Sequence, residues 1–478
     1  MTATLAAGAD ALLAAAVIIG YAIFASGLIQ NLLYTVQLVA AYCALRRRVA
    51  AEDPQTAWWR FSGQTIPISL LVPAHNEETS IVDSVRSMLA LHYPSFEVIV
   101  VNDGSGDATL ARLIEAFDLV PVTRAWEPAV PHEAIRGLYA ADAYPRLLVV
   151  DKENGGKADA LNAGIDLTRT PLFCAVDADS LLETDALLRA VQPFMEDPGR
   201  VVAVGGTIRV ANGSRVRAGR ILEVGLPRHP LALFQVMEYL RAFLMARMAW
   251  SEWGAMMLIS GAFGIFRRSV AVTVGGYSHG TVGEDMEIIV KLHRHLCDVE
   301  APYGIRFVPD PVCWTEVPET LSVLAGQRRR WQRGSLETFF KHVPMLGRRR
   351  YGVAGTVGYL NMLLSDVLGP PLEALGYLLI PALWAGGVFG LDFFLAYLAL
   401  VFAFGVFISV GALILEEVTL RRYPAPRDLA WLTLAAVGEN FGYRQINNIW
   451  RVMGWWEFLR RKKGWGTMRR KGFGRGGP

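Results

Sequence analysis

The sequence predicts an α/β domain held between two apolar, membrane-crossing ends, and three observations carry that prediction. Apolar runs of strand length alternate with segments of helical period from residue 66 onward. Each early strand closes on a polar turn, at His75–Glu78, Asn102–Ser105 and Asp177–Asp179. Hydrophobic residues make up 53% of the 478, and their excess sits at the two ends, while residues 50–345 have an ordinary globular mix. Strand followed by helix, repeated, argues a parallel sheet with helices on both faces. Such sheets bind ligands beyond the carboxyl ends of their strands, where all three polar turns fall.

The elements follow in order. Leu12 to Leu45 is almost free of charge and lacks the basic start and small-residue cleavage site of a signal peptide, so it is expected to stay in the mature protein. It exceeds the ~20 residues that cross a bilayer, which favours one long or tilted helix over two crossings. Arg46–Arg48 then marks the cytoplasmic side. Ile66–Val72 and Glu97–Val101 read as buried strands, Thr79–Leu91 and Ala108–Phe117 as helices, Leu147–Val150 as a strand, and 158–167 as a helix. Glu127–Pro145 reads as an insertion without a legible role. The run after Pro171 reads as a strand ending in Asp177 and Asp179.

Val201–Thr207 is a further strand with an outgoing ribbon. Leu231–Trp250 is a long helix whose Phe, Leu and Met stripe reads as core or membrane-surface packing. Ser260–Gly264 is a tight turn, and Thr281–Asp285 opens a helix. Glu319–Met345 is basic and amphipathic and reads as a helix on the membrane surface. Val357–Trp384 can span, with Gly369-Pro-Pro371 breaking or kinking it, and Phe393–Leu415 spans cleanly. Leu429–Trp450 is interrupted by Glu439, Asn440 and Arg444. The basic tail beyond it favours a re-entrant or surface-lying helix pair over a crossing. The four cysteines have no paired spacing, so neither disulfides nor zinc are expected.

The chemistry starts from Asp177 and Asp179. Alternate residues of a strand point the same way, so both carboxylates are expected to face one ligand. A hard divalent cation carrying phosphates suits them, because Mg²⁺ takes one or two carboxylates and lets substrate oxygens complete its shell. One such triplet is a weak signal. The motif order is stronger: Pro73-Ala-His-Asn-Glu77, Asn102-Asp-Gly-Ser105, Gly155-Gly-Lys-Ala-Asp-Ala-Leu-Asn162, Asp177-Ala-Asp179, Ser260-Gly-Ala262, Gly283-Glu-Asp285 and Gln327-Arg-Arg-Arg-Trp331. Together these closely resemble the membrane-embedded family-2 glycosyltransferases, the processive synthases of cellulose, hyaluronan, chitin and poly-N-acetylglucosamine. Ile265-Phe-Arg-Arg-Ser269 and Val317-Pro-Glu-Thr-Leu321 bring the texture nearest to the last of these.

The resemblance implies a cytoplasmic, Rossmann-like GT-A glycosyltransferase domain joined to an α-helical transmembrane region. Its parts are a membrane helix at 1–48, the catalytic domain at 49–318, and amphipathic interfacial helices at 319–352. Transmembrane or interfacial helices at 353–458 and a basic tail at 459–478 complete it, in a multi-pass protein of the inner (plasma) membrane. It implies that His75, Glu77 and Asp103 bind the base and ribose of a UDP-sugar, although the family often has Tyr at the position of His75. Lys157 and Arg330 would meet the diphosphate, and Asp177 and Asp179 would hold Mg²⁺ or Mn²⁺ on it. Asp285, with Glu284 beside it, stands in the family's Thr-Glu-Asp motif as general base, here with Gly283 in place of Thr. Trp331, Gln327, Ser260 and Gly261 would contact the acceptor. Arg328 and Arg329 also suit a basic face on anionic lipid. Trp465 and Thr467 resemble a Trp-Gly-Thr gating loop that closes over the donor, the bland alternative being a basic tail on phospholipid.

One base without a carboxylate nucleophile implies a single inverting displacement, from a UDP-GlcNAc or UDP-glucose donor to a growing β-linked polysaccharide extruded across the bilayer. Transfer of one sugar to a lipid acceptor is the enzyme alternative, and an idle membrane scaffold the non-enzymatic one. No nucleic-acid partner is expected.

Overall fold

The computed structural model describes residues 2–49, 65–217, 220–423 and 425–462. Its centre is a ten-stranded sheet in the order β3-β4-β5-β2-β1-β6-β11-β8-β12-β7. Strands β1 (Ile68–Ala74), β2 (Phe96–Asp103), β5 (Leu147–Lys152) and β6 (Leu172–Val176) are parallel, and their registers place Ala74 beside Asn102, Asn102 beside Asp151 and Leu71 beside Ala175. Their carboxyl ends therefore form one rim. Every residue of β6 is buried, as a central strand covered on both faces requires. Helices α1 (Thr2–Val49), α2 (Ile81–Leu89), α3 (Thr109–Phe117), α4 (Lys157–Leu167) and α5 (Ala186–Glu196) come in chain order along this half.

The sheet is mixed rather than parallel throughout. β11 (Phe263–Arg267) runs antiparallel to β6 and to β8 (Val201–Val210), while β12 (Gly304–Thr315) is parallel to β8. The 127–145 segment is no mere insertion: it holds β4 (Ile135–Ala140), antiparallel to β5 and to the short edge strand β3 (Val120–Val122). β4 is mostly half-buried, so it lacks the unbroken apolar run that betrays a central strand. At the other edge, β7 (Leu181–Leu182) pairs with β12, and β9 (Arg215–Arg217) with β10 (Arg220–Glu223) forms the outgoing ribbon.

Helix α6 spans 230–252 and carries a π-helical stretch at Leu240–Arg247. Leu240, Phe243, Leu244 and Met245 bury their side chains, as a core stripe should. α7 (Arg268–Thr273), α8 (Glu284–Asp298) and α9 (Leu321–Lys341) follow. The N-terminus of α8 is locked to the middle of α9 by two glycines: a Cβ on Gly283 would lie 2.8 Å from the Gly334 Cα, so neither position has room for a side chain.

Three helices among the described residues are long and apolar enough to cross a membrane: Asp10–Arg47 within α1, α10 (Ala354–Ala385) and α11 (Leu391–Thr419). Gly369-Pro-Pro371 does not break α10. Pro370 and Pro371 lack the N–H groups that the carbonyls of Asp366 and Val367 would accept. Gln332 of α9 donates to the Asp366 carbonyl instead, and the Trp455 indole donates to that of Val367 at 2.8 Å. A π-helical stretch at Leu363–Leu368 precedes the proline pair. α12 (Pro426–Gly438) and α13 (Tyr443–Leu459) are separate helices broken at 439–442, both too short for a simple crossing.

The basic face expected on lipid is instead spent inside the protein. Arg328 is buried against Glu238 of α6 at 2.6 Å, and Arg329 pairs with Glu457 of α13 at 3.2 Å. A guanidinium with a carboxylate at hand does not need phospholipid. A second buried pair, Arg209 of β8 with Glu416 of α11, ties the sheet to an apolar helix, and both residues are under 4% exposed. Removing one partner strands the other charge. Glu416→Leu is expected to destabilise the protein by about 3–5 kcal/mol, and Arg209→Met with Glu416→Leu to recover most of that. Thermal unfolding in detergent checks both; equal melting of the single and double variants would show that the pair is not coupled.

Candidate active site

The rim of parallel strand ends opens into a cleft of about 3270 Å³, walled on its far side by α6, the start of α8 and α9. His75, Glu77, Asp103, Lys157, Asp177, Asp179, Ser260, Gly261, Glu284, Asp285, Gln327, Arg330 and Trp331 all line it. The structure thus brings these predicted residues to one cavity from seven separate motifs. Trp465 and Thr467 lie outside the described residues.

At the β1 end, His75 is exposed to the cleft, and its Nδ1 lies 2.9 Å from the Asp103 carbonyl. The Glu77 carboxylate accepts from Ser80 at 2.9 Å. Asp103 is 2% exposed and its carboxylate is already engaged. It accepts from Lys152 Nζ at 2.7 Å, from the Gly155 and Gly156 amides at 3.0 and 2.7 Å, and from Asn154 at 3.3 Å. Four donors fill the lone-pair sites of a carboxylate, so in this state Asp103 holds the glycine loop. Lys152, fully buried, bridges Asp103 to Asp159.

That loop delivers Lys157. Gly156 takes φ +89°, a left-handed conformation natural to glycine, and Lys157 opens α4 directly after it. Lys157 Nζ lies 2.5 Å from Asp177 and 3.5 Å from Glu284. Asp177 and Asp179 do not alternate along a strand. β6 stops at Val176, and the Ser180 amide donates to the Asp177 carbonyl at 3.0 Å, closing a turn that leaves both acids on the cleft. Among the described residues no group of three or more His, Cys, Asp or Glu side chains is gathered to hold a metal. Two carboxylates on an open cleft fit a Mg²⁺ or Mn²⁺ ion whose remaining ligands are substrate oxygens and water.

Asp285 lies at the start of α8. Its carboxylate accepts from the Gly261 amide at 3.1 Å and from the Met286 amide at 2.9 Å. A Cβ on Gly261 would come within 2.7 Å of Lys157 Nζ, so this tight turn seats both the acid and the lysine. On α9, Trp331 is 48% exposed, and the Arg328 guanidinium lies 4.3 Å from its ring centroid. Glu238 fixes that guanidinium, so the indole is a braced plate facing the cleft.

The family described as "Glycosyltransferase like family 2" matches residues 66–334, more than half of the chain. The chain belongs to glycosyltransferase family 2. Curated relatives include the poly-beta-1,6-N-acetyl-D-glucosamine synthases of Staphylococcus aureus and Staphylococcus epidermidis, each 31% identical over 275 residues. That match covers 57% of this chain and 56% of the relative, so the glycosyltransferase spans little more than half the length of the relatives it matches. Among solved structures, a mannosyltransferase of Pyrobaculum calidifontis, in complex with GDP-Man and Mn²⁺, superposes over 88% of this chain and 99% of its own with a TM-score of 0.51 and 18% identity. That likeness concerns the fold, a Rossmann-like GT-A glycosyltransferase domain.

Several cleft residues of the glycosyltransferase carry no motif signal, namely Asn154 and, on α6, Glu238, Tyr239 and Arg247, and neither does the buried Lys152 beneath the glycine loop. The α6 residues sit in a segment whose apolar period reads as core. Only their clear face reaches the cleft.

Electrostatics set the acids apart from solvent carboxylates. Burial pushes the Glu284 carboxyl up to about 7, against the pull of Lys157, and it also raises Asp285. Burial opposes the charge on Lys157, but Asp177 and Glu284 outweigh it and hold the ammonium protonated. Glu284 therefore retains in the folded chain a proton that the unfolded chain loses between its ordinary 4.5 and about 7. Stability falls as pH rises through that window. Glu284→Gln has no such proton to lose, so its melting temperature is expected to gain on wild type from pH 4.5 to 7 and then level off. A pH-independent difference between the two would disprove the shift.

Proposed function

We propose that this glycosyltransferase is an inverting, UDP-sugar-dependent hexosyltransferase that extends a β-linked polysaccharide and passes it across the membrane. Residues 49–318 would be the catalytic unit and the apolar helices the exit path. The observation that carries this reading is the meeting of Lys157, Asp177, Glu284 and Asp285 beneath the Ser260–Gly261 turn, with Trp331 on the same cleft. Support for a long product comes from the reach of the cleft, which continues to Tyr34 of α1, Ser365 and Asp366 of α10, and Arg451 of α13. The S. aureus relative makes UDP-GlcNAc the first donor to test, with UDP-glucose beside it.

The chemistry follows from the groups present. A Mg²⁺ or Mn²⁺ ion held by Asp177 and Asp179 would offset the charge of the leaving diphosphate. Lys157 and Arg330 add positive charge where that diphosphate departs. Asp285, its carboxyl raised by burial, takes the proton of the acceptor hydroxyl as oxygen attacks the anomeric carbon. Trp331 gives the acceptor sugar a flat surface and lowers the entropy of bringing two molecules into line. The C–O bond to UDP breaks as the new glycosidic bond forms, so configuration inverts.

Asp285→Asn is expected to cut transfer by about 10²–10⁴-fold while donor binding stays near wild type. UDP release from a panel of UDP-sugars with Mn²⁺, read beside nucleotide titration, checks it. Unchanged UDP release in the variant would remove the base assignment. Gel analysis of the product separates a polymer from a singly glycosylated lipid, and the latter would replace the polymer reading.

A further inference from the structure

Arg247 takes no part in the reading above. It ends the π-helical stretch of α6 and lines the cleft. Among the described residues its Nε and Nη1, both buried, have no hydrogen-bond partner. Three other arginines where the globule meets the apolar helices, two buried and one half-buried, each have a carboxylate: Arg209 has Glu416, Arg328 has Glu238 and the half-buried Arg241 has Glu439. Among the described residues Arg247 has only the face of Phe243, its guanidinium carbon 3.9 Å from the ring centroid. A ring quadrupole balances a cation less well than a carboxylate does, and a buried charge without a counter-ion is costly.

Its surroundings say what is missing. Burial pushes Arg247 down to about 10, and Asp285 is the foremost neighbour opposing that fall. Tyr239, about two turns earlier on α6, feels the charges of both Arg247 and Asp179. The guanidinium shares one cleft with the Asp177–Asp179 turn and the candidate base. π-helical turns concentrate at functional sites because they re-aim side chains that an α-helix would direct elsewhere.

We propose that Arg247 binds the diphosphate of the sugar-nucleotide donor, from the α6 wall, as a further cation beside Lys157 and Arg330. This rests on the donor reading given above. A neutral acceptor sugar would leave the guanidinium uncompensated, whereas a diphosphate in the cleft supplies the opposite charge that it lacks.

Titration of UDP and of uridine into the purified full chain with Mn²⁺ tests it. Arg247→Met keeps the stem on Phe243 and removes the charge; Arg247→Lys keeps a charge and loses the fork. UDP affinity is expected to fall about 30-fold in Arg247→Met and less in Arg247→Lys, with uridine affinity unchanged and the melting temperature near wild type. Unchanged UDP affinity in Arg247→Met overturns the proposal, as does an equal loss for UDP and uridine, which would mark a structural role. Failure of wild type to bind UDP would instead sink the donor reading, and this proposal with it.

Discussion

The candidate site depends on one ammonium group among carboxylates. Asp177, Glu284 and Asp285 arrive from two distant parts of the chain, and like charges so close repel. Lys157 makes their company tolerable: it lies within ion-pair reach of Asp177 and Glu284, and its charge also acts on Asp285. Three structural units meet at that group, namely the turn after β6, the first residue of α4 and the start of α8. The glycines around it exist for the same purpose. Gly156 turns the chain so that Lys157 can point inward, Gly261 leaves room for its ammonium, and Gly283 lets α8 touch α9. The same balance of burial against attraction leaves Glu284 and Asp285 readier to hold a proton than free carboxylic acids.

A second constraint joins the globule to the apolar helices. Charged, buried contacts accompany the apolar packing of α6 on α11 and α12. Arg241 of α6 meets Glu439 in the break between α12 and α13, with Ser409 of α11 completing the group. Glu238 is shared by Arg328 and the Tyr443 hydroxyl. Pairs of this kind contribute little net stability when compared with well-packed apolar side chains, but they penalise any other arrangement heavily. They fix where α6 and α9 stand, and those two helices form the cleft wall that faces the sheet.

Much of this was legible in the sequence because it is local. The apolar runs of β1, β2 and β6, the polar turns that close them and the Gly283-Glu-Asp285 start of α8 are each contained in a few neighbouring residues. What escaped notice is long-range or edge-like. Arg328 and Glu238 are 90 residues apart, and Arg209 and Glu416 are 207 apart, so no window of periodicity joins them. A run of arginines reads as a solvated or lipid-facing surface until its partners are known. β4 is mostly half-buried and so carries no strong apolar pattern. Asp177 and Asp179 reach the cleft through a turn instead of strand alternation. Arg247 was hidden by its own helix, because it follows Phe243 and Leu244 on the apolar stripe that reads as core.

The proline pair of α10 has one more effect. Around it, the carbonyls of Ser365, Asp366, Val367 and Pro370 accept from Arg451, Gln332, Trp455 and Asn448, side chains of α9 and α13. In apolar surroundings water cannot replace those donors. Turning α10 about its own axis would forfeit all four bonds at once, so this helix behaves as a fixed post. Any widening of the cleft beside it has to come from the elements that are not pinned to its backbone.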